Sequence, residues 1–139
     1  MKRRTFLSAL SILPSMLISC GKDEFPDRPT IITGKVIDEN NKPIVGIQLV
    51  FGGYYLKGFS PIPTFDEIVE TDKDGIYKIS YIVPRGQAYL KPLGNTQYDL
   101  VTFYDIYIWK NNVYEKMSSS AGQIINGETN TFNFQLRKK

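Results

Sequence analysis

At 139 residues, with 42% hydrophobic and 22% charged side chains, the chain has the size and composition of one globular domain rather than of a disordered segment. It contains no histidine and a single cysteine, Cys20. That excludes Ser-His and Cys-His catalysis, an intramolecular disulfide and a Cys-x-x-Cys zinc site. Lys2, Arg3 and Arg4 account for the net charge of +3; the rest carries fourteen basic against fourteen acidic side chains, and such a neutral body has no electrostatic footprint for nucleic acid.

In chain order, Met1 to Arg4 is a short positive segment and Phe6 to Ile18 an apolar one. The apolar run falls short of the roughly 20 residues that span a bilayer as a helix, which makes it an export signal. Leu17-Ile18-Ser19-Cys20 closes it and resembles a bacterial lipobox. The resemblance implies acylation of the Cys20 sulfur and amine with fatty acids such as palmitate, and cleavage before Cys20. Residues 1–19 are then a lipoprotein signal peptide. Arg3-Arg4-Thr5-Phe6-Leu7 is also similar to a twin-arginine export motif. Cys20-Gly21-Lys22-Asp23-Glu24 resembles the tag that, in one Gram-negative phylum, sends lipoproteins to the outer face of the outer membrane. Residues 20–30, which include the proline-bearing FPDRPT, read as a lipidated cysteine and extended tether.

From Ile31 the pattern changes to short strands. Ile32, Gly34 and Val36 alternate with Thr33, Lys35 and Ile37 at period two. Asp38 to Pro43 is turn chemistry, and Ile47, Leu49 and Phe51 share the next strand face. Gly52-Gly53 reads as a break, followed by a long aromatic loop from Tyr54 to Thr64. Phe65 to Thr71 is a strand, Asp72 to Gly75 a hairpin turn, and Tyr77, Ile79 and Tyr81 one face of the strand after it. Val83 to Gly86 turns into a short strand over 87–91. Leu100 to Trp109 reads as one aromatic strand that returns through an Asn111-Asn112 turn. Phe132, Phe134 and Leu136 share a face of the closing strand. No segment sustains a 3.6-residue period, and seven or so short strands with Gly, Pro and Asn turns argue for an all-β sandwich.

Ile32-Thr33-Gly34-Lys35-Val36, then Asp38-Glu39-Asn40 and Lys42-Pro43-Ile44 with Gly46, resembles the carboxypeptidase regulatory-like domain. Thr71-Asp72-Lys73-Asp74-Gly75-Ile76-Tyr77 is similar to that family's second signature. The resemblance covers about 31–91 well and 92–126 poorly. It implies a transthyretin-like (prealbumin-like) sandwich over 31–139. It also implies an accessory, non-enzymatic role, with no catalytic residues and no cofactor.

Fourteen of the eighteen aromatic residues lie between Phe51 and Tyr114. Tyr54, Tyr55, Phe59, Tyr98, Tyr104 and Trp109 fall in expected loops or on faces opposite the expected core. They form the candidate surface for a partner or ligand, because aromatic rings offer apolar area with a polar tip. Asp72 and Asp74 resemble part of a calcium loop but lack the further ligands, so no metal site is expected. Lys35 with Asn130 or Asn133 suggests an isopeptide pair only until its alternation turns Lys35 to solvent. The expectation is a non-enzymatic lipoprotein, anchored to the outer membrane through Cys20 and exposed at the cell surface. Its partner is an envelope protein or a polysaccharide; a glycan-binding module using 52–64 and 98–114 is the alternative.

Overall fold

The computed structural model describes residues 27–84, 86–95, 98–119 and 121–139. Cys20 and the signal and tether expected before Asp27 lie outside the described residues. Among the described residues ten strands run in order: β1 Thr30–Asp38, β2 Gln48–Lys57, β3 Ser60–Glu70, β4 Ile76–Tyr81, β5 Gln87–Asn95, β6 Tyr98–Asp99, β7 Tyr104–Lys110, β8 Val113–Lys116, β9 Thr129–Thr131 and β10 Phe134–Lys138. A single helical turn, α1 Leu100–Phe103, lies between β6 and β7. One sheet has the order β4-β1-β10-β7-β8, with β9 also on β1, and the other the order β3-β2-β5-β6. The chain is an all-β two-sheet sandwich, as its alternation predicts.

Between the sheets pack Ile32, Val36, Leu49, Phe51, Phe65, Tyr77, Leu90, Ile108, Phe134 and Leu136, all buried. These are inward-facing positions of seven strands, so the hydrophobic effect selects one face of each strand. Phe65 joins the two sheets: it stacks on Tyr81 of β4 at 4.7 Å and meets the edge of Phe51 at 5.1 Å.

Strands β9 and β10 are one strand with a kink. Both run parallel to β1 in the same register, Ile31 opposite Thr129 and Val36 opposite Phe134. At the kink the ladder is rebuilt from side chains. Asn133 Oδ1 accepts from the Lys35 backbone N–H at 3.0 Å, and the Tyr77 hydroxyl donates to the Phe132 carbonyl at 2.7 Å. Gly34 makes room for this, because a Cβ there would lie 1.8 Å from the Phe132 oxygen.

Burial drives the Tyr77 phenol far above the ordinary tyrosine range. A folded-state phenol harder to ionise than the unfolded one stabilises the fold below about pH 10; that contribution falls away as pH rises beyond it. Tyr77→Phe should therefore cost about 1–3 kcal/mol at neutral pH, by orphaning the Phe132 carbonyl. It should also flatten the alkaline loss of stability, as measured by urea unfolding from pH 7 to 11.

Two loops at one end of the sandwich share one structure. Asp38 Oδ1 accepts from the backbone N–H groups of Asn40 and Lys42, and Asp72 Oδ1 accepts from those of Asp74 and Ile76, at 2.8–2.9 Å. The fourth residue of each loop is left-handed, Asn41 at φ 63° and Gly75 at φ 71°. The Asp72 loop does not close a hairpin, however. Its flanking strands β3 and β4 belong to different sheets. The buried Thr71 makes that crossing: its hydroxyl accepts from Ile47 N–H at 2.9 Å and donates to the Ile44 carbonyl at 2.7 Å.

Two further expectations are corrected. Tyr54 to Thr64 is no loop, because β2 and β3 continue as a paired hairpin to a turn at Lys57–Ser60. Leu100 to Trp109 is not one strand, because Leu100–Phe103 is the helical turn that carries the chain from the β6 sheet to the β7 sheet.

Candidate binding surfaces

The structure divides the aromatic residues singled out above among several places. Tyr98 has a described backbone, but its side chain lies outside what the structure describes. Tyr104 is half-buried against the core and lines an open groove of about 410 Å³ with Phe103, Lys138 and Lys139. Lys138 pairs with Tyr104 across the β10–β7 ladder, so this groove lies toward the end of the two aspartate loops.

At the opposite end, Tyr54 is held rather than free. Its hydroxyl donates to Gln87 Oε1 at 2.9 Å, and its ring tilts against Tyr89 at 6.3 Å. Tyr89 in turn donates to Asp66 Oδ1 at 3.0 Å, which together with burial raises the Tyr89 phenol above its ordinary range. This bond crosses directly over Gly52, which pairs with Asp66 on one side and Tyr89 on the other. A Cβ at Gly52 would lie 2.4–2.5 Å from both side chains. Gly52 is thus the floor of a cross-strand tie, not a break in the strand. Beyond Tyr54 come Tyr55 and Phe59, both exposed, on the part of the hairpin that β5 does not cover.

Trp109 is 45% exposed and meets Tyr114 edge-on at 4.9 Å. The two are directly opposite on β7 and β8 because Asn111 and Asn112, at φ 50° and 64°, make a two-residue turn of the type whose twist suits a hairpin. Tyr107 lies two residues before Trp109 and so shares its face, with the Arg137 guanidinium 4.0 Å above its ring centre. Lys116 and Asp105 form an ion pair at 2.9 Å beside them, which raises the Lys116 pKa. The outer face of β10-β7-β8 therefore presents Tyr107, Trp109, Tyr114 and Arg137 together. Tyr107, Tyr114 and Arg137 were not singled out from the sequence. The spacing of Tyr107 to Trp109 and the Asn-Asn turn were the available signals, since they fix which residues share the face.

Other chemistry is sparse. Among the described residues there is no group of three or more Asp, Glu, His or Cys able to hold a metal, and no helix long and apolar enough to cross a membrane. Asp72 Oδ1 is occupied by backbone donors. Lys35 is exposed, and Asn133 Oδ1 is engaged with the Lys35 backbone rather than its side chain.

No family model and no curated protein matches the chain. Similar folds occur among solved structures. The BcpA major pilin subunit of Bacillus cereus is 15% identical with a TM-score of 0.46, the match covering 81% of this chain. The chain spans about a third of that subunit's length, 31%. The plantain pollen allergen Pla l 1 is 16% identical over 80% of this chain and 94% of its own, with a TM-score of 0.44. The dioxygenase domain of a dioxygenase carbohydrate-binding fusion from Streptomyces sp. SirexAA-E is 19% identical over 83% of each chain, with a TM-score of 0.42. Likenesses this distant lend no residue role and no activity. The chain is a β-sandwich whose exposed aromatic residues are divided among a projecting hairpin, one sheet face and the helical turn that carries Phe103.

Proposed function

We propose that this chain is a non-enzymatic lipoprotein of the bacterial cell envelope, a β-sandwich binding or assembly module held at the outer membrane by acylated Cys20 and displayed at the cell surface. Its membership of the carboxypeptidase regulatory-like domains, with their transthyretin-like sandwich, belongs to the same reading. The matching loops at Asp38 and Asp72, which fall in the two signature segments, support that membership.

The observation that carries the binding role is the outer face of β7 and β8. Trp109 and Tyr114 stand there side by side with Tyr107 under Arg137, on a face the sandwich does not use for its core. Trp109 is exposed there and Tyr107, Tyr114 and Arg137 are half-buried; Trp, Tyr and Arg are the side chains most enriched among those that anchor protein interfaces. Trp109→Ala with Tyr114→Ala should cost a native envelope partner tenfold or more in affinity, about 1.4 kcal/mol or more. Urea unfolding should show the double variant still folded, with a loss of about 1–2 kcal/mol for the cross-strand aromatic pair. Cross-linking on intact cells followed by quantitative recovery measures the first effect. Unchanged recovery from the folded double variant would refute the site.

A second reading has its own support: flat aromatic rings beside a guanidinium also suit the apolar faces and hydroxyls of sugar rings. Binding of the same face to an isolated polysaccharide, lost in the same double variant, would favour it over a protein partner.

A further inference from the structure

The hairpin of β2 and β3 outgrows its sheet. The last β5 partner is Gln87, opposite Tyr54; past that point only Tyr55–Lys57 and Ser60–Ile62 pair with each other. The overhang is about three residues, or roughly 10 Å. Phe59 at its tip is fully exposed, Leu56 is 59% exposed and Tyr55 is 44% exposed. From Gly53 to Phe65 there is no acidic residue and one charge, Lys57. Three exposed apolar side chains gathered on one uncovered tip are a contact-surface composition rather than scattered exposure.

The fold also places this tip relative to the start of the domain. Thr30 pairs with Tyr81 at the end of β4. Tyr81 stacks on Phe65, and Pro84 shares a cleft with Tyr55, Leu56 and Thr64 at the base of the overhang. The hairpin thus leaves the sandwich at the end where the chain before Thr30 arrives. Cys20 is ten residues before Thr30, a stretch that reaches about 33–36 Å at most. That is little more than the length of the nine-residue strand β1, about 30 Å. A bilayer holding Cys20 is therefore within reach of this end of the sandwich.

We propose that the hairpin tip, Tyr55, Leu56 and Phe59 with Lys57 beside them, rests in the interfacial layer of the lipid surface that holds the anchor. This proposal rests on the lipoprotein reading. Aromatic rings favour the headgroup level, and a lysine there meets lipid phosphate. The contact makes the anchor two-legged, with the acyl chains holding the domain and the hairpin orienting it. The aspartate loops at the other end then point away from the membrane.

Full-length acylated protein carrying Ser60→Cys, labelled with an environment-sensitive dye and reconstituted into phosphatidylcholine vesicles with a phosphatidylglycerol minority, tests this. Spin-labelled lipid is the quencher, and Lys73→Cys at the far end is the reference. The residue-60 dye should shift to the blue and be quenched, the residue-73 dye should do neither, and Phe59→Asp should bring the residue-60 signal down to the reference. Floating vesicles on which the two dyes behave alike would overturn the hairpin contact and leave the anchor standing. A wild-type protein whose Cys20 thiol accepts the dye and which does not float would overturn the anchor, and the hairpin proposal with it. A blue shift at residue 60 in native membranes without quenching by the spin-labelled lipid would assign the tip to a protein partner, and so overturn the lipid contact.

Discussion

Gly34→Ala should destabilise the domain by about 4 kcal/mol or more, at the extreme of what single substitutions do. The added carbon would lie 1.8 Å from the Phe132 oxygen, 2.7 Å from the Phe132 carbonyl carbon and 2.8 Å from the Tyr77 hydroxyl. Two of these neighbours are backbone, so no rotamer change relieves the overlap. The kink between β9 and β10 would have to retreat by more than an ångström. That retreat stretches the Tyr77 bond to the Phe132 carbonyl, the Phe132 N–H bond to the Thr33 carbonyl and the Asn133 bond to Lys35 N–H. Each bond contributes about 1 kcal/mol, and the retreat also loosens the packing of Tyr77 on Phe134. A domain of this size holds only about 5–15 kcal/mol in total. Urea unfolding, or loss of soluble expression, reads the effect. Because the two act on one kink, the cost of Tyr77→Phe should shrink in the Gly34→Ala background rather than add. A Gly34→Ala protein with the wild-type midpoint would mean that the C-terminal strand does not pass over β1 as described.

The second large effect is on location rather than stability. Cys20→Ser should move the protein from the membrane to the soluble fraction while leaving the domain folded. Each buried methylene of an acyl chain contributes about 0.8 kcal/mol, and two or more chains hold a protein stably where one binds only reversibly. The serine variant has no sulfur to acylate, and the hairpin tip alone offers only Tyr55, Leu56 and Phe59 to the lipid. Flotation of cell membranes on a density gradient measures the change. Equal flotation of the serine variant and wild type would remove the anchor from the account.

The alternation of Ile32, Val36, Tyr77 and Phe134 made the sandwich core legible, because burial on one face imposes a period of two. The Asn111-Asn112 turn was legible too, since asparagine tolerates the left-handed conformation that both residues adopt. The hairpin extension was not. Gly52-Gly53 carries the same signal whether glycine ends a strand or leaves room for Tyr89, Asp66 and Phe65 to close over it. Pro61 and Pro63 added to the misreading, although proline is tolerated on an edge strand such as β3, where half the N–H groups need no partner. The helical turn at Leu100 was hidden because a short apolar run suits either a strand or a helix. Assigning Asp72 to Gly75 to a hairpin failed because an aspartate-anchored turn looks the same whether it returns to its own sheet or crosses to the other. Aromatic enrichment marked a region that mixes exposed rings such as Tyr55, Phe59 and Trp109 with the buried rings of Phe51, Phe65 and Tyr77. Only the cross-strand register separated Trp109, beside Tyr114, from Tyr104, beside Lys138 at the far end.

The intact mass of protein extracted with detergent from bacterial membranes decides whether acylated Cys20 holds the domain at the bilayer. The expected species is a mature chain that begins at Cys20, carries a diacylglyceryl group on sulfur and a further acyl group on the amine, and retains residues 20–139 unbroken. A chain that begins elsewhere, or one whose Cys20 is a free thiol, would contradict it.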